Sequence, residues 1–283
     1  MKELILDSFA KINLALEIKG KRNDGYHDIH TIFQEINIRD GIYLRQEKGD
    51  QIEITCDYKL LPVQEDNIVF TVWDMMKELY HGEPGLRVHI EKNIPIAAGL
   101  AGGSSNAATM IKGLNELWNL NLELEEMMEI GSKIGADVPF FFLGGTALGV
   151  GKGDELSKLN SFAHNKILIV NTGYGISTKY VYENYKKNPD FYVDFDNIIR
   201  TINNEDYERL YPLLKNELES VTIALQPDIG EIKYEMNRLG AKTSLMCGSG
   251  PTVFGIFEDE NKLENAFFYF KDKFDLVFST ETR

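Results

Sequence analysis

The chain has 283 residues, and 30 Lys and Arg against 44 Asp and Glu leave a net charge of −14. Hydrophobic residues make up 43% and aromatics 11%, which supplies a sizeable core, excludes wholesale disorder and fits roughly two domains. The acidic balance argues against a nucleic-acid binder, which needs a basic face, but a local cleft can still hold a phosphorylated small molecule.

The first run, LILDSFAKINLALEI over 4–18, has alternating stretches and predicts a strand. Asp7 and Lys11 break its apolar character, so it reads neither as a signal peptide nor as a membrane span. A turn-rich segment with Asp24-Gly25 follows. Strands are expected at 31–38, 42–45 and 51–56. Apolar spacing over 65–80 predicts a helix, with Asp66 and Asn67 as candidate caps. Residues 86–90 alternate again. The texture then changes to a Gly/Ser stretch at 95–108 that opens a helix reaching about Trp118. A second helix is expected over about 122–134. The run VPFFFLGG at 138–145 reads as a buried strand or loop. Gly149, Gly151 and Gly153 cluster where a domain boundary is expected. Later come a strand at 166–171, helical patterns within 177–239, the strand SLMC, the loop CGSGP and the strand TVFGIF. A helix over about 259–271 and a last strand near 275–279 close the chain. The coarse class is α+β in two domains.

The strongest chemical signal is Pro95 to Ser105, a loop between a strand and a helix. Glycines let backbone approach a ligand, and a helix start offers unpaired N–H groups and a positive dipole end. Together they suit phosphate. A flexible connector with a serine N-cap is the alternative. Ser104 and Ser105 add hydroxyls for phosphate or Mg²⁺. Other nucleotide and hydrolase motifs are absent: no G-x-x-x-x-G-K-[ST], G-x-G-x-x-G, H-R-D, D-F-G or G-x-S-x-G occurs.

Four further features carry two readings each. The loop Cys247–Pro251 is a tight turn or a second phosphate border, and Cys247 reads as a small buried residue. Asp137, in Gly135-Ala-Asp-Val-Pro139, is a turn former or a carboxylate that takes a hydroxyl proton. Lys11 and Asn13 share one face of the first strand and mark either a wet edge or a charge aimed at phosphate. Tyr26 and His27, with Phe33, either cover a core edge or hold a flat ligand. His27 and His30 lack a third metal ligand of suitable spacing, and the Cys56–Cys247 pair makes neither a disulfide framework nor a metal site. Two cysteines could form one bridge, but with no disulfide framework a reducing cytoplasm is the simplest expected address.

Taken in order, AKINLALEIKGKRNDGYHDIHTIF, EDN at 65–67, IPIAAGLAGGSSNAAT, GADVPFFFLGGTALGVGKGDEL, NELE at 216–219 and CGSGPTVFG resemble the GHMP kinase superfamily. Galactokinase, homoserine kinase and mevalonate kinase belong to it. The match is best with the branch that acts on a cytidyl diphosphate sugar alcohol. The resemblance implies an N-terminal ribosomal-protein-S5-like α/β domain over 1–156 and a C-terminal ferredoxin-like α+β domain over 157–283, with the active site in the cleft between them. It implies ATP, with Mg²⁺ accompanying it, and phosphorylation of a 2-hydroxyl on a route to isoprenoid precursors.

Carried over by position, Asp137 would be the base, and Lys11 would orient the hydroxyl and keep that carboxylate ionised. Pro95, Ile96, Ala97, Ala98, Gly99, Leu100, Ala101, Gly102, Gly103, Ser104 and Ser105 would wrap the ATP phosphates, with Asn67 and Lys92 near the adenosine. Asn13 would place the substrate. Tyr26, His27 and Phe33 would hold the cytosine, and Tyr182, after Ser177 and Thr178, would add a ring face. Gly248 and Gly250 would border the diphosphate. No metal ligand is assigned. Asn106, Ala101 and Cys247 stand where relatives often have Asp, Gly and Ser. The expected partner is a small molecule, with no nucleic acid and no membrane; monomer and homodimer both stay open.

Overall fold

Alternation of apolar and polar residues draws the N-terminal run into one long strand, β1 (Glu3–Lys21), and the next run into another, β2 (His27–Gln46). The stretches expected as separate strands at 31–38 and 42–45 are therefore continuous. Arg39-Asp40-Gly41 extends the strand instead of turning, because Asp40 is buried and its Oδ1 accepts from the backbone N–H groups of Asn93 and Ile94, both at 2.8 Å. The structure is a computed structural model that describes every residue except Met1, Leu60, Pro62 and Gln64.

After β2 come β3 (Ile52–Cys56), α1 (Ile68–Lys77), β4 (Leu86–Glu91), α2 (Gly102–Trp118), α3 (Leu124–Ile134) and α4 (Phe140–Leu143). Next are β5 (Thr146–Val150), β6 (Glu155–Lys158), β7 (Lys166–Asn171), α5 (Thr178–Asn184), α6 (Phe195–Asn203) and α7 (Tyr207–Leu210). The remainder is α8 (Glu219–Leu225), α9 (Asp228–Arg238), β8 (Thr243–Met246), β9 (Val253–Phe257), α10 (Glu260–Lys271) and β10 (Leu276–Glu281). The run at 138–145, expected as a strand or loop, instead makes α4. A continuous apolar run carries no period that separates the two. Here Phe141 and Phe142 N–H groups donate to Val138 and Pro139 carbonyls at 3.2 Å, which winds the chain into a turn.

The chain divides into two compact units, each assembled from non-consecutive stretches. The first comprises 1–10, 38–94 and 101–143. In it β4 pairs antiparallel with β2 from Gly41 to Gln46 and parallel with β3. A parallel pair needs a crossover, and α1 supplies it. Asn67 caps α1, its Oδ1 accepting from Val69 N at 3.0 Å. The helix buries Val69, Val72, Trp73 and Met76 and packs on α2. Close packing of α2 on the strands requires Gly113, where a Cβ would collide with Leu6 and Leu44.

The second unit comprises 11–37, 95–100 and 144–283. Here β5 pairs with Thr31–Gln34 of β2 and with β6. The glycine cluster expected as a boundary forms this hairpin. Gly151 and Gly153 take positive φ there, and a Cβ on Gly149 would meet the Phe33 ring at 2.7 Å. A four-stranded antiparallel sheet, β10-β7-β9-β8, carries α9 and α10. Its core includes Leu168, Val170, Met236, Val253, Phe257 and Phe270. Among the described residues, no helix is long and apolar enough to cross a membrane.

Candidate active site

In the second unit, Pro95 to Leu100 lies against the loop after β8. Gly99 has φ +78°, and a Cβ there would overlap the Cys247 carbonyl oxygen and sit 3.2 Å from that of Gly250. Only glycine permits this approach. It brings the two glycine-bearing loops into contact. Lys11 joins them from β1: its backbone N–H donates to the Leu100 carbonyl at 3.2 Å, and its Nζ donates to the Gly99 carbonyl at 3.3 Å and to Asn13 Oδ1 at 2.9 Å. Asn13 donates in turn to Thr31 Oγ1 at 2.7 Å, which donates to the Ala15 carbonyl. A Cβ on Gly248 would stand 3.4 Å from Gly99 O, 3.5 Å from Asn13 Oδ1 and 3.7 Å from Lys11 Nζ. Lys11, Asn13, Gly99 and Gly248 thus converge on one point. The Lys11 ammonium is buried and lies 5.3 Å from the Phe33 ring centre. A buried cation in a low local dielectric acts strongly on a nearby anion. Cys247 is buried as expected, and burial pushes its thiol up, away from the thiolate.

In the first unit, α2 starts at Gly102. Its N-cap Ala101, at φ +54°, makes no side-chain cap bond, so the first-turn N–H groups keep the donors an anion takes. A Cβ on Gly102 would meet Ile94 at 2.9 Å and Lys92 Nζ at 3.1 Å, whereas one on Gly103 would meet nothing within 4 Å. Lys92 is tied down beneath this helix start, its Nζ 2.5 Å from the buried Asp40 Oδ2. Ser104 is half-buried. Ser105 turns inward, 1% exposed, and pairs with Ser8 Oγ at 2.7 Å; Ser8 Oγ also donates to Asn106 Oδ1 at 2.7 Å. Asp137 is half-buried in the turn after α3. That turn runs close to the helix start, since a Cβ on Gly135 would be 3.9 Å from Ser104 Oγ.

The aromatic residues lie in the second unit. Tyr26 is 60% exposed, with the Lys152 ammonium 5.5 Å from its ring centre. His27 is half-buried and its ring centre is 5.3 Å from that of Tyr182, tilted by 36°. Burial first, and the Lys21 charge second, push the His27 imidazole below its ordinary value. Phe33, expected with these rings, is only 1% exposed and sits in the core beneath Gly149 and Lys11. Thr178 Oγ1 on α5 pairs with Ser249 Oγ at 2.9 Å. Asn216 Nδ2 donates to the Met246 and Gly248 carbonyls at 2.8 and 2.7 Å. Sequence reasoning missed Thr31, Asp40 and Asn216 as supports, because each acts on residues distant in the chain. Among the described residues, no three His, Cys, Asp or Glu side chains group as a metal site.

Residues 67–145 match the family described as GHMP kinases N terminal domain, and 198–276 match GHMP kinases C terminal. A 4-diphosphocytidyl-2-C-methyl-D-erythritol kinase of Lachnoclostridium phytofermentans is 42% identical over 272 residues, 96% of this chain and 94% of the relative. The chain belongs to the GHMP kinase family. A relative of the same name from Acetivibrio thermocellus is 43% identical over 263 residues, 93% of each chain. A solved crystal structure of 4-(cytidine 5'-diphospho)-2C-methyl-D-erythritol kinase superposes with a TM-score of 0.84 at 26% identity, covering 99% of both chains. The fold expected from the sequence motifs, a two-domain mixed α+β GHMP kinase, is the fold found. As a GHMP kinase the chain uses ATP.

Proposed function

We infer that the protein phosphorylates the 2-hydroxyl of 4-diphosphocytidyl-2-C-methyl-D-erythritol with ATP, giving the 2-phosphate and ADP in the non-mevalonate isoprenoid route. Supporting relatives carry that name over nearly the whole chain. The observation that carries the reading is a pair of sites within the second unit. The His27–Tyr182 rings suit a nucleobase, and the Lys11–Asn13–Gly248 cluster suits a hydroxyl and a phosphate. An alcohol without a base needs only the second.

Phosphoryl transfer asks a protein mainly for positioning and charge neutralisation. Pro95 to Ser105 wraps the ATP phosphates through backbone N–H groups, and Asn67 and Lys92 lie toward the adenosine end. Asp137 takes the proton as the 2-hydroxyl oxygen attacks the γ-phosphorus; the bond to the bridging oxygen breaks and ADP leaves. Lys11 orients the hydroxyl and offsets developing charge, and Asn13 places the substrate. Tyr26, His27 and Tyr182 hold the cytosine, with Phe33 behind them. Gly248 and Gly250 border the substrate diphosphate. Mg²⁺ accompanying ATP would offset charge on its phosphates, and no side chain of this chain is assigned to hold it. The enzyme acts on a small molecule in the cytoplasm, as monomer or homodimer, with 1–156 as the ATP domain and 157–283 as the second domain.

Coupled ADP release with the cytidyl substrate, homoserine, mevalonate and galactose tests the reading. Turnover with the cytidyl substrate alone is expected; turnover with another alcohol alone would discard the base pocket. Asp137→Asn should lower kcat about 10²–10⁴-fold while ATP binding, followed by titration calorimetry, persists. Unchanged kcat removes Asp137 from the mechanism.

A further inference from the structure

One buried carboxylate has no part in the chemistry above. Glu217 is 2% exposed. Its Oε2 accepts from the Ile18 backbone N–H at 2.7 Å, and its Oε1 accepts from the Tyr185 hydroxyl at 2.5 Å. Lys187 Nζ stands 3.5 Å from the same Oε1 and donates to the Ile18 carbonyl at 2.8 Å. The Glu217 backbone N–H donates to the Leu16 carbonyl at 3.0 Å, so main chain and side chain both lock it to β1. A carboxylate removed from water is strongly unfavourable unless it is paired and hydrogen-bonded, and all of these partners are present. Burial, and then the bond to Glu217, push the Tyr185 hydroxyl above the ordinary phenol range, so it remains a donor under any assay condition.

These contacts hold α5, the helix that carries Tyr182. The segment of seven residues is too short to be stable alone, and its pose is set by what grips it. At its start, Thr178 meets Ser249. Just past its end, Tyr185 meets Glu217. The Tyr185 ring also stands edge-on to His27, with centres 6.3 Å apart. The neighbouring Asn216 grips the Met246 and Gly248 carbonyls. Two consecutive residues of the NELE stretch, to which the sequence motifs gave no role, therefore tie β1, the second glycine loop and the exit of α5 together.

We propose that Glu217 and Tyr185 are positioning residues for nucleobase recognition: their hydrogen bond fixes α5 so that the Tyr182 ring meets His27. The inference rests on the proposed cytidyl substrate. Neither residue touches the reacting atoms, so the effect belongs to substrate affinity and not to the chemical step.

Steady-state kinetics of Tyr185→Phe, with ATP and the cytidyl substrate varied in turn, test it. The variant keeps the ring and removes only the hydroxyl. The KM for the cytidyl substrate should rise about tenfold, with kcat within about twofold and the KM for ATP unchanged. In a His27→Ala background the same change should have little further effect, because both act through one pocket. If Tyr185→Phe does not fold, Glu217→Gln, which keeps an acceptor for the hydroxyl, should show a smaller rise than Glu217→Ala. Native turnover with an unchanged cytidyl KM in Tyr185→Phe overturns this inference alone. A parallel rise in the ATP KM, or a fall in kcat at constant KM, also overturns it by showing a general structural role. A native protein that ignores the cytidyl substrate overturns the functional reading and this inference with it.

Discussion

His27 is half-buried, with its ring centre 5.3 Å from that of Tyr182. Burial and Lys21 lower its pKa, so it is neutral at pH 7 and can both donate to and accept from a base edge. The KM for the cytidyl substrate should stay flat above neutrality and rise as pH falls below the ordinary imidazole value near about 6.5. The sign for stability is the same: the folded state resists the proton, so stability falls on acidification through that window. A KM that improves on acidification would show that the cationic form binds. His27→Ala should raise the same KM about 5–30-fold, the worth of one or two hydrogen bonds, and leave the KM for ATP alone. Other side chains could not be resolved from the sequence. Ser104 and Ser105 are identical letters, yet one stays half-buried and the other is sealed against Ser8. Phe33 shares the aromatic character of Tyr26 but not its exposure.

The start of α2 gives a sharper test at the level of the element. Gly103 has open space around its missing Cβ, and alanine is the better helix former by about 1 kcal/mol. Gly103→Ala should therefore keep or raise Tm in a thermal melt. The added methyl would crowd a phosphate seated on the helix start, so the KM for ATP should rise at least about tenfold. An unchanged KM would move the phosphates elsewhere. Strands and helices with a clear period were legible: the 65–80 spacing produced α1, and the alternation at 86–90 produced β4. Segments without a period were not. Four apolar residues expected as a strand or loop became α4. The Glu217 and Asn216 contacts reach across about two hundred positions to β1 or thirty to the glycine loop, and no local pattern announces such reach.

For the molecule as a whole, charge is the instructive quantity. A net charge of −14 repels ATP at long range. Lys92, under the helix start, is paired with Asp40, so under the proposed function the phosphates would rest on neutral N–H groups rather than on a free cation there. Added salt screens the repulsion. Raising ionic strength tenfold should leave the KM for ATP within about twofold or lower it; a steep rise would reveal a cationic cradle instead. The composition excluded a nucleic-acid binder and the motifs gave the family, while the interleaving of two units from non-consecutive stretches had no signature in either.

Ala97 and Ala101 both hold positive φ, at 53° and 54°. An L-residue there is strained by about 1–2 kcal/mol, against about 0.5–1 kcal/mol of extra backbone entropy that glycine would lose. Every alanine codon is one C-to-G transversion from a glycine codon. The two positions are thus single-base steps from relief, and random mutagenesis under heat selection should enrich glycine at both before it enriches anything at Gly99, where the clash with Cys247 permits no other residue.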